Sequence, residues 1–174
     1  MKSHLNKALL FLLLLISSQI QAQDKKLSAT FFNKGMQSFM NVRYKEAIEL
    51  FSKAIVADSL NFDAWIKRGF VRSNVGDFEG ELSDYTHVIE KDPIHKWAYI
   101  SRGGAKNRTG EYQSAILDLN KAIEIDGNDA EAYNNRGFSK KSLGDLEGAC
   151  ADWYKSKQLG NEEAKIILKN NHCK

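Results

Sequence analysis

Apolar residues recur at helical spacing along most of the chain, and the recurrence is itself repeated. Phe62 to Val75 carries one such run and Phe78 to Lys91 the next, with Gly76-Asp77 between them. Apolar positions three and four residues apart predict an amphipathic helix in each. Gly110-Glu111 and Gly144-Asp145 divide later runs in the same way. A glycine can end a helix in the left-handed conformation, and an acidic residue suits the first turn of the helix that follows. The first pair of runs has Val42-Arg43 at this point, so its turn is less well specified. The chain thus resolves into four units, 28–61, 62–95, 96–129 and 130–163, each predicted to be a helical hairpin. Beyond them Ala164, Ile166, Ile167 and Leu168 lie among charges, which predicts a short amphipathic helix over 162–171. A stacked array needs such an element to cover its last apolar face.

The period is 34 residues, and it orders individual side chains: Gly35, Gly69, Gly103 and Gly137 stand one period apart. Mid-helix glycine costs about 1 kcal/mol relative to alanine, so its return in every unit points to close helix–helix approach. The small residues expected opposite are Ala47, Ala115 and Ala149, with Glu81 in that slot in the second unit and Arg72 and Lys106 as its expected neighbours. Charges keep the same step. Arg68, Arg102 and Arg136 precede the glycine, and Asp84, Asp118 and Asp152 each follow their arginine by 16 residues. Arg72, Lys106 and Lys140 lie four residues past each arginine and so on its helical face. The pattern predicts partly buried ion pairs between the two helices of a hairpin. Its return from unit to unit assigns these charges to structure rather than catalysis, although the first unit lacks it, with Lys34 and Leu50 instead.

With an aromatic at Phe31, Trp65, Tyr99 and Tyr133, the glycine four residues later, a later small residue at Ala54 and Ala122 and a closing Pro93, each unit resembles the tetratricopeptide repeat. The resemblance covers residues 28–163, with Ser59, Gly127 and Asn161 in place of the closing proline elsewhere. It implies an all-α fold, a right-handed α-solenoid of four tetratricopeptide hairpins plus the C-terminal capping helix. It also implies a binding mode, because in that family the first helices line a concave groove that takes up a peptide or protein segment. Off-pattern residues on that face are the site candidates it implies. They are Phe32, Met36, Phe39 and Met40 in the first unit, and Ile66, Phe70 and Asn74 in the second. The third offers Trp97, Ile100 and Arg108, and the fourth Asn134, Phe138 and Lys141. Trp97 stands two residues before its aromatic rung, so the packing pattern does not demand it, whereas Trp65 and Trp153 occupy rungs. A lysine–asparagine clamp for a C-terminal carboxylate, known in some members, is replaced in the first unit by Phe32 and Met36, which favours an apolar or amphipathic segment.

The opening residues follow another rule. Lys2, His4 and Lys7 precede the unbroken apolar run Ala8 to Ile16, and a polar stretch then ends in Ala22. These are the three parts of a secretory signal peptide, so 1–22 is expected to be removed and 23–174 to form a single repeat domain. A run of nine is short of the roughly 20 residues that span a bilayer, and no later run replaces it. The formal charge of +3 would fall to about +1 on cleavage, which leaves no electrostatic footprint for nucleic acid. Export also bears on Cys150 and Cys173, the only cysteines. An even count in an exported chain reads as a disulfide, and antiparallel packing of the last two helices would bring the pair to one end.

Catalytic chemistry finds no foothold. His87, His95 and His172 form no metal-like pair, and no phosphate-binding glycine loop, nucleophile elbow or separate carboxylate pair is present. Asn107-Arg108-Thr109 matches a glycosylation pattern but falls inside a helix. No catalytic residue, metal or cofactor is therefore expected. The expectation is an exported interaction module, periplasmic or secreted, that binds a segment of another protein. The alternative is a self-associating scaffold whose first repeat forms a homodimer interface.

Overall fold

The turn residues act as their chemistry requires. Gly76, Gly110 and Gly144 have φ of 81, 81 and 89°, and Val42, the fourth position on that step, is forced to φ 60°. Helix starts are capped locally: Asn61 accepts from the Ala64 amide, Asp77 from Gly80, His95 from Ala98, Asp129 from Glu131 and Ala132, and Asp145 from Gly148. Each such cap is worth about 1 kcal/mol over alanine. The resulting computed structural model describes residues 2–173, with side chains from residue 13 onward. Its described residues form nine α-helices and no strand: α1 Lys2–Met40, α2 Tyr44–Ala57, α3 Phe62–Asn74, α4 Phe78–Lys91, α5 Lys96–Thr109, α6 Tyr112–Ile125, α7 Ala130–Ser142, α8 Leu146–Gln158 and α9 Glu163–Asn170.

The opening residues and the first repeat helix form one continuous α1. No proline lies in the helix, and its first glycine is Gly35, so nothing breaks it near Ala22. No helix among the described residues is long and apolar enough to cross a membrane.

The chain falls into two compact units, Met1–Val75 and Gly76–Lys174. In the first, Ala47, Phe51 and Val71 form a buried cluster, and Ala54, Ile55 and Ala64 a second. Ser28 Oγ donates to the Ala54 carbonyl at 2.8 Å, and Asn61 Nδ2 donates to Ser28 Oγ at 2.9 Å, pinning α1, α2 and the start of α3 together. In the second unit Ile100, Ala122 and Ala132 form one cluster, and Ala149, Trp153 and Leu168 another.

The glycines pack differently from expectation. A Cβ on Gly35 would lie 2.8 Å from Phe51, one on Gly103 2.8 Å from Leu119, and one on Gly137 2.6 Å from Trp153. The glycine step thus makes room for the large residue of the partner helix, four positions beyond the alanines. Ala47, Ala115 and Ala149 are fully buried but are not its partners. Burying a side chain such as Phe51 completely is worth about 1.5–3 kcal/mol, more than the helix propensity the glycine gives up.

The charge ladder folds into a network. Arg102 donates from Nε (2.9 Å) and Nη2 (2.7 Å) to the two oxygens of Asp118, and Lys106 Nζ joins the same carboxylate at 2.8 Å. Arg136, Lys140 and Asp152 repeat the arrangement. Within Met1–Val75 Arg68 stacks on Trp65 and donates to Ser52 Oγ at 2.9 Å, and within Gly76–Lys174 Asp84 is buried. Two cations around one nearly buried carboxylate satisfy its lone pairs, without which a buried charge is costly.

Cys150 on α8 and Cys173 after α9 are paired as a disulfide, with Cα atoms 5.6 Å apart. The bond holds α9 over Ala149 and Trp153, where Ala164 and Leu168 are buried.

Candidate interaction surface

First helices carry the candidate surface, and the structure sorts its residues by burial. In the first unit Phe32 and Met36 turn inward against Ala47, Phe51 and Val71, with the Phe32 and Phe51 rings 5.6 Å apart. They belong to the core edge rather than to an open anchor. Met40 is exposed at the end of α1, and Ile66 is half-buried. Phe70 remains 47% exposed, its ring edge-on to Phe39 at 5.7 Å. Asn74 is exposed, and its Nδ2 donates to the Phe70 carbonyl.

The second unit presents α5 and α7. Trp97 is 50% exposed. Its ring lies beneath Lys96, whose Nζ is 4.7 Å from the centroid. The same Nζ donates to Asp126 at 2.7 Å and approaches Asp129 at 2.9 Å. The hydrogen bonds to Asp126 and Asp129 raise the Lys96 pKa, and the bond from Lys96 lowers that of Asp126. Trp97 is thus an aromatic plate fixed by a cation that is itself fixed by two carboxylates.

One candidate on this face is corrected, and another, Arg108, stays half exposed while holding a partner. Ile100 is buried with Ala122 and Ala132, so it packs the core and lines no surface. Arg108 is ion-paired with Glu81, the carboxylate that replaces an alanine of the repeat. The spacing predicts Arg72 and Lys106 as the neighbours of Glu81; Lys106 instead serves Asp118. Tyr85 also donates to Glu81, at 3.2 Å, and burial followed by the Glu81 charge raises the Tyr85 pKa. Glu81 is therefore a satisfied structural group.

Asn134, Phe138 and Lys141 come together. With Asn135, Trp153, Ile167 and Asn171 they line a cleft of about 280 Å³ between α7 and α9. Phe138 is 48% exposed at its mouth. Asn134 Oδ1 is buried there without a hydrogen-bond partner among the described residues. Such an acceptor in native protein calls for an explanation.

Sequence reasoning missed several residues. Ser52, Thr86 and Asn120 accept from Arg68, Arg102 and Arg136, respectively. They too stand one repeat apart, 16 residues before their arginine, so the period held the signal although the side-chain types vary. Asn135, Ile167 and Asn171 in the cleft carry no such periodic signal. Asn107 of the glycosylation pattern is buried, donating to the Asn135 carbonyl and accepting from Ser139. His95 is a helix cap. No group of three or more metal-ligating side chains occurs among the described residues.

Helical hairpins in tandem, a 34-residue step and glycines packed against a large side chain of the partner helix define a class, and comparison with known proteins bears it out. Residues 103–144 match the family model for the TPR repeat. The fold is similar to that of TTC0263, a thermophilic TPR protein in Thermus thermophilus (18% identity, 83% of this chain and 81% of that one, TM-score 0.72). It is also similar to YrrB, a TPR protein with an unusual peptide-binding site (20%, 82% and 74%, 0.69). The first TPR of Spaghetti (RPAP3), bound to the HSP90 peptide SRMEEVD, is a third similar structure (23%, 69% and 95%, 0.65). No curated protein sequence matches the chain. The chain has the tetratricopeptide-repeat fold, an all-α solenoid of helical hairpins.

Proposed function

We propose that this chain is an exported, non-enzymatic interaction protein that binds a segment of another protein on the α5–α7 face of its second unit. Trp97 carries the reading. It is large, half exposed, off the repeat pattern and held rigid by Lys96. A preordered aromatic of this kind makes a binding anchor at little entropic cost. The cleft between α7 and α9 supports a polypeptide as the occupant. The carboxamides of Asn134, Asn135 and Asn171 offer donors and acceptors that match main-chain amides, and Phe138 offers apolar contact. Asn134 Oδ1 is an acceptor suited to a partner's N–H. That YrrB has a peptide-binding site and the Spaghetti domain holds a peptide makes a segment the natural ligand class for this fold.

Export rests on the basic leader, the apolar run Ala8 to Ile16 and the small Ala22, with the mature chain starting at Gln23. The Cys150–Cys173 bond suits an oxidising compartment. Cross-linking in the native compartment and N-terminal sequencing test both parts. Trp97→Ala should weaken capture of the cross-linked partner by roughly thirtyfold, a hot-spot loss of about 2 kcal/mol, while its melting curve stays with the wild type. Equal capture by the variant refutes the face, and a chain still beginning at Met1 refutes cleavage.

A further inference from the structure

The first unit carries a second surface that the α5–α7 face does not explain. Between α1 and α2 lies a groove of about 570 Å³, walled chiefly by Leu27, Phe31, Ile48 and Val56, with Glu49 and Lys53 along it. Val56 is 88% exposed and Leu27 45% exposed. Their counterparts in the other repeats are polar. Val56 stands where Glu90, Glu124 and Gln158 recur, and Leu27 where Asn61, His95 and Asp129 cap helices. The scaffold therefore does not require these apolar residues, and an apolar patch of this kind seldom stays bare. Phe32 and Met36 are absorbed by the core, whereas Leu27 and Val56 stay open along this groove.

The charges on the groove indicate what covers it. Glu49 and Lys53 are four residues apart on α2, one turn, and therefore on the same face. Neither is ion-paired within its own chain among the described residues, and both line the groove. Two copies of α2 packed antiparallel about a two-fold axis would set each Glu49 against the other's Lys53. A two-fold interface must be self-complementary in this way, with residue i meeting j and j meeting i. The leader of the same chain is excluded as the occupant, because it continues α1 as one uninterrupted helix rather than turning back onto it. We infer that a second copy of this chain occupies the α1–α2 groove, forming a symmetric dimer closed by two Glu49–Lys53 ion pairs.

Charge reversal tests this by sedimentation equilibrium of the full chain. Glu49→Lys places like charges across the axis and should raise the dimer Kd by about tenfold or more. Glu49→Lys combined with Lys53→Glu should return it to near the wild-type value. Val56→Asp should leave a monomer with unchanged helical circular dichroism. A wild-type chain that stays monomeric at high concentration overturns the inference. So does a dimer indifferent to Glu49→Lys, which would place the contact elsewhere, or one that the double reversal fails to restore. Because Trp97 lies outside the groove, Trp97→Ala should leave the dimer intact, so the two surfaces fail independently.

Discussion

At the scale of single residues, Val42 shows what the repeat demands and what this sequence withholds. It occupies the position of Gly76, Gly110 and Gly144 and adopts their left-handed backbone at φ 60°. For a β-branched residue that conformation is a steric outlier, costing about 1–2 kcal/mol. Val42 is 66% exposed, so it recovers little by burial. Val42→Gly should therefore stabilise the protein by about 0.5–1 kcal/mol after allowance for the greater freedom of glycine in the unfolded chain. For a chain of this size that is a rise of about 2 °C in Tm. A fall in Tm would mean that the exposed isopropyl group makes contacts worth more than the strain. The turn itself was legible from the period. The strain was not, because sequence shows that a residue is off-pattern but not whether the backbone yields or the side chain does. The glycine step has the same limit: spacing announced close packing, but only the fold distinguishes Phe51, Leu119 and Trp153 from the alanines one turn earlier.

At the scale of elements, helix positions follow the period and side-chain partners follow the local exceptions. Arg102 and Arg136 reach Asp118 and Asp152 as their spacing requires, because a constant 16-residue offset in antiparallel helices returns the same geometry. Arg108 breaks the pattern and stays half exposed, and it also answers another break, Glu81, 27 residues earlier. Two off-pattern residues that satisfy one another leave no periodic trace. The start of α5 is tied down by a comparable device, Lys96 against Asp126 and Asp129, and its pH dependence has a definite sign. The Asp126 pKa is lowered, so its contribution is present above the ordinary value of 3.8 and lost as pH falls through the folded value below it. The Lys96 pKa is raised, so its contribution is full below 10.5 and lost as pH rises through the folded value above it. The difference in Tm between wild type and Lys96→Met should therefore be a plateau at neutral pH that declines beyond both edges. A difference independent of pH would show that the lysine acts through its stem on Trp97 rather than through its charge.

At the scale of the whole molecule, stability in a repeat array is a sum of near-neighbour terms, so a local staple should act locally. The Cys150–Cys173 bond spans 23 residues within the second unit. A loop of that size is worth about 3 kcal/mol by the chain-entropy account. What the bond holds in place is α9, whose Leu168 packs with Ala149 and Trp153 and whose Ile167 borders the α7 cleft. Reduction should thus release α9 first. In native-state hydrogen exchange, amides of Glu163–Asn170 and of α8 around Trp153 should lose protection by about a hundredfold, the equivalent of that loop term. Amides of α2 around Ala47 and Phe51, which draw on their own core cluster, should exchange as before. Uniform loss across both sets would instead make the chain one cooperative body in which the cap is felt everywhere. If the predicted pattern holds, reduction should also open the cleft lined by Asn134 and Asn171 while sparing Trp97, which stands on α5. Partner binding would then weaken through loss of one wall rather than through loss of the aromatic anchor. In the reduced protein Trp97→Ala should still cost nearly its full effect.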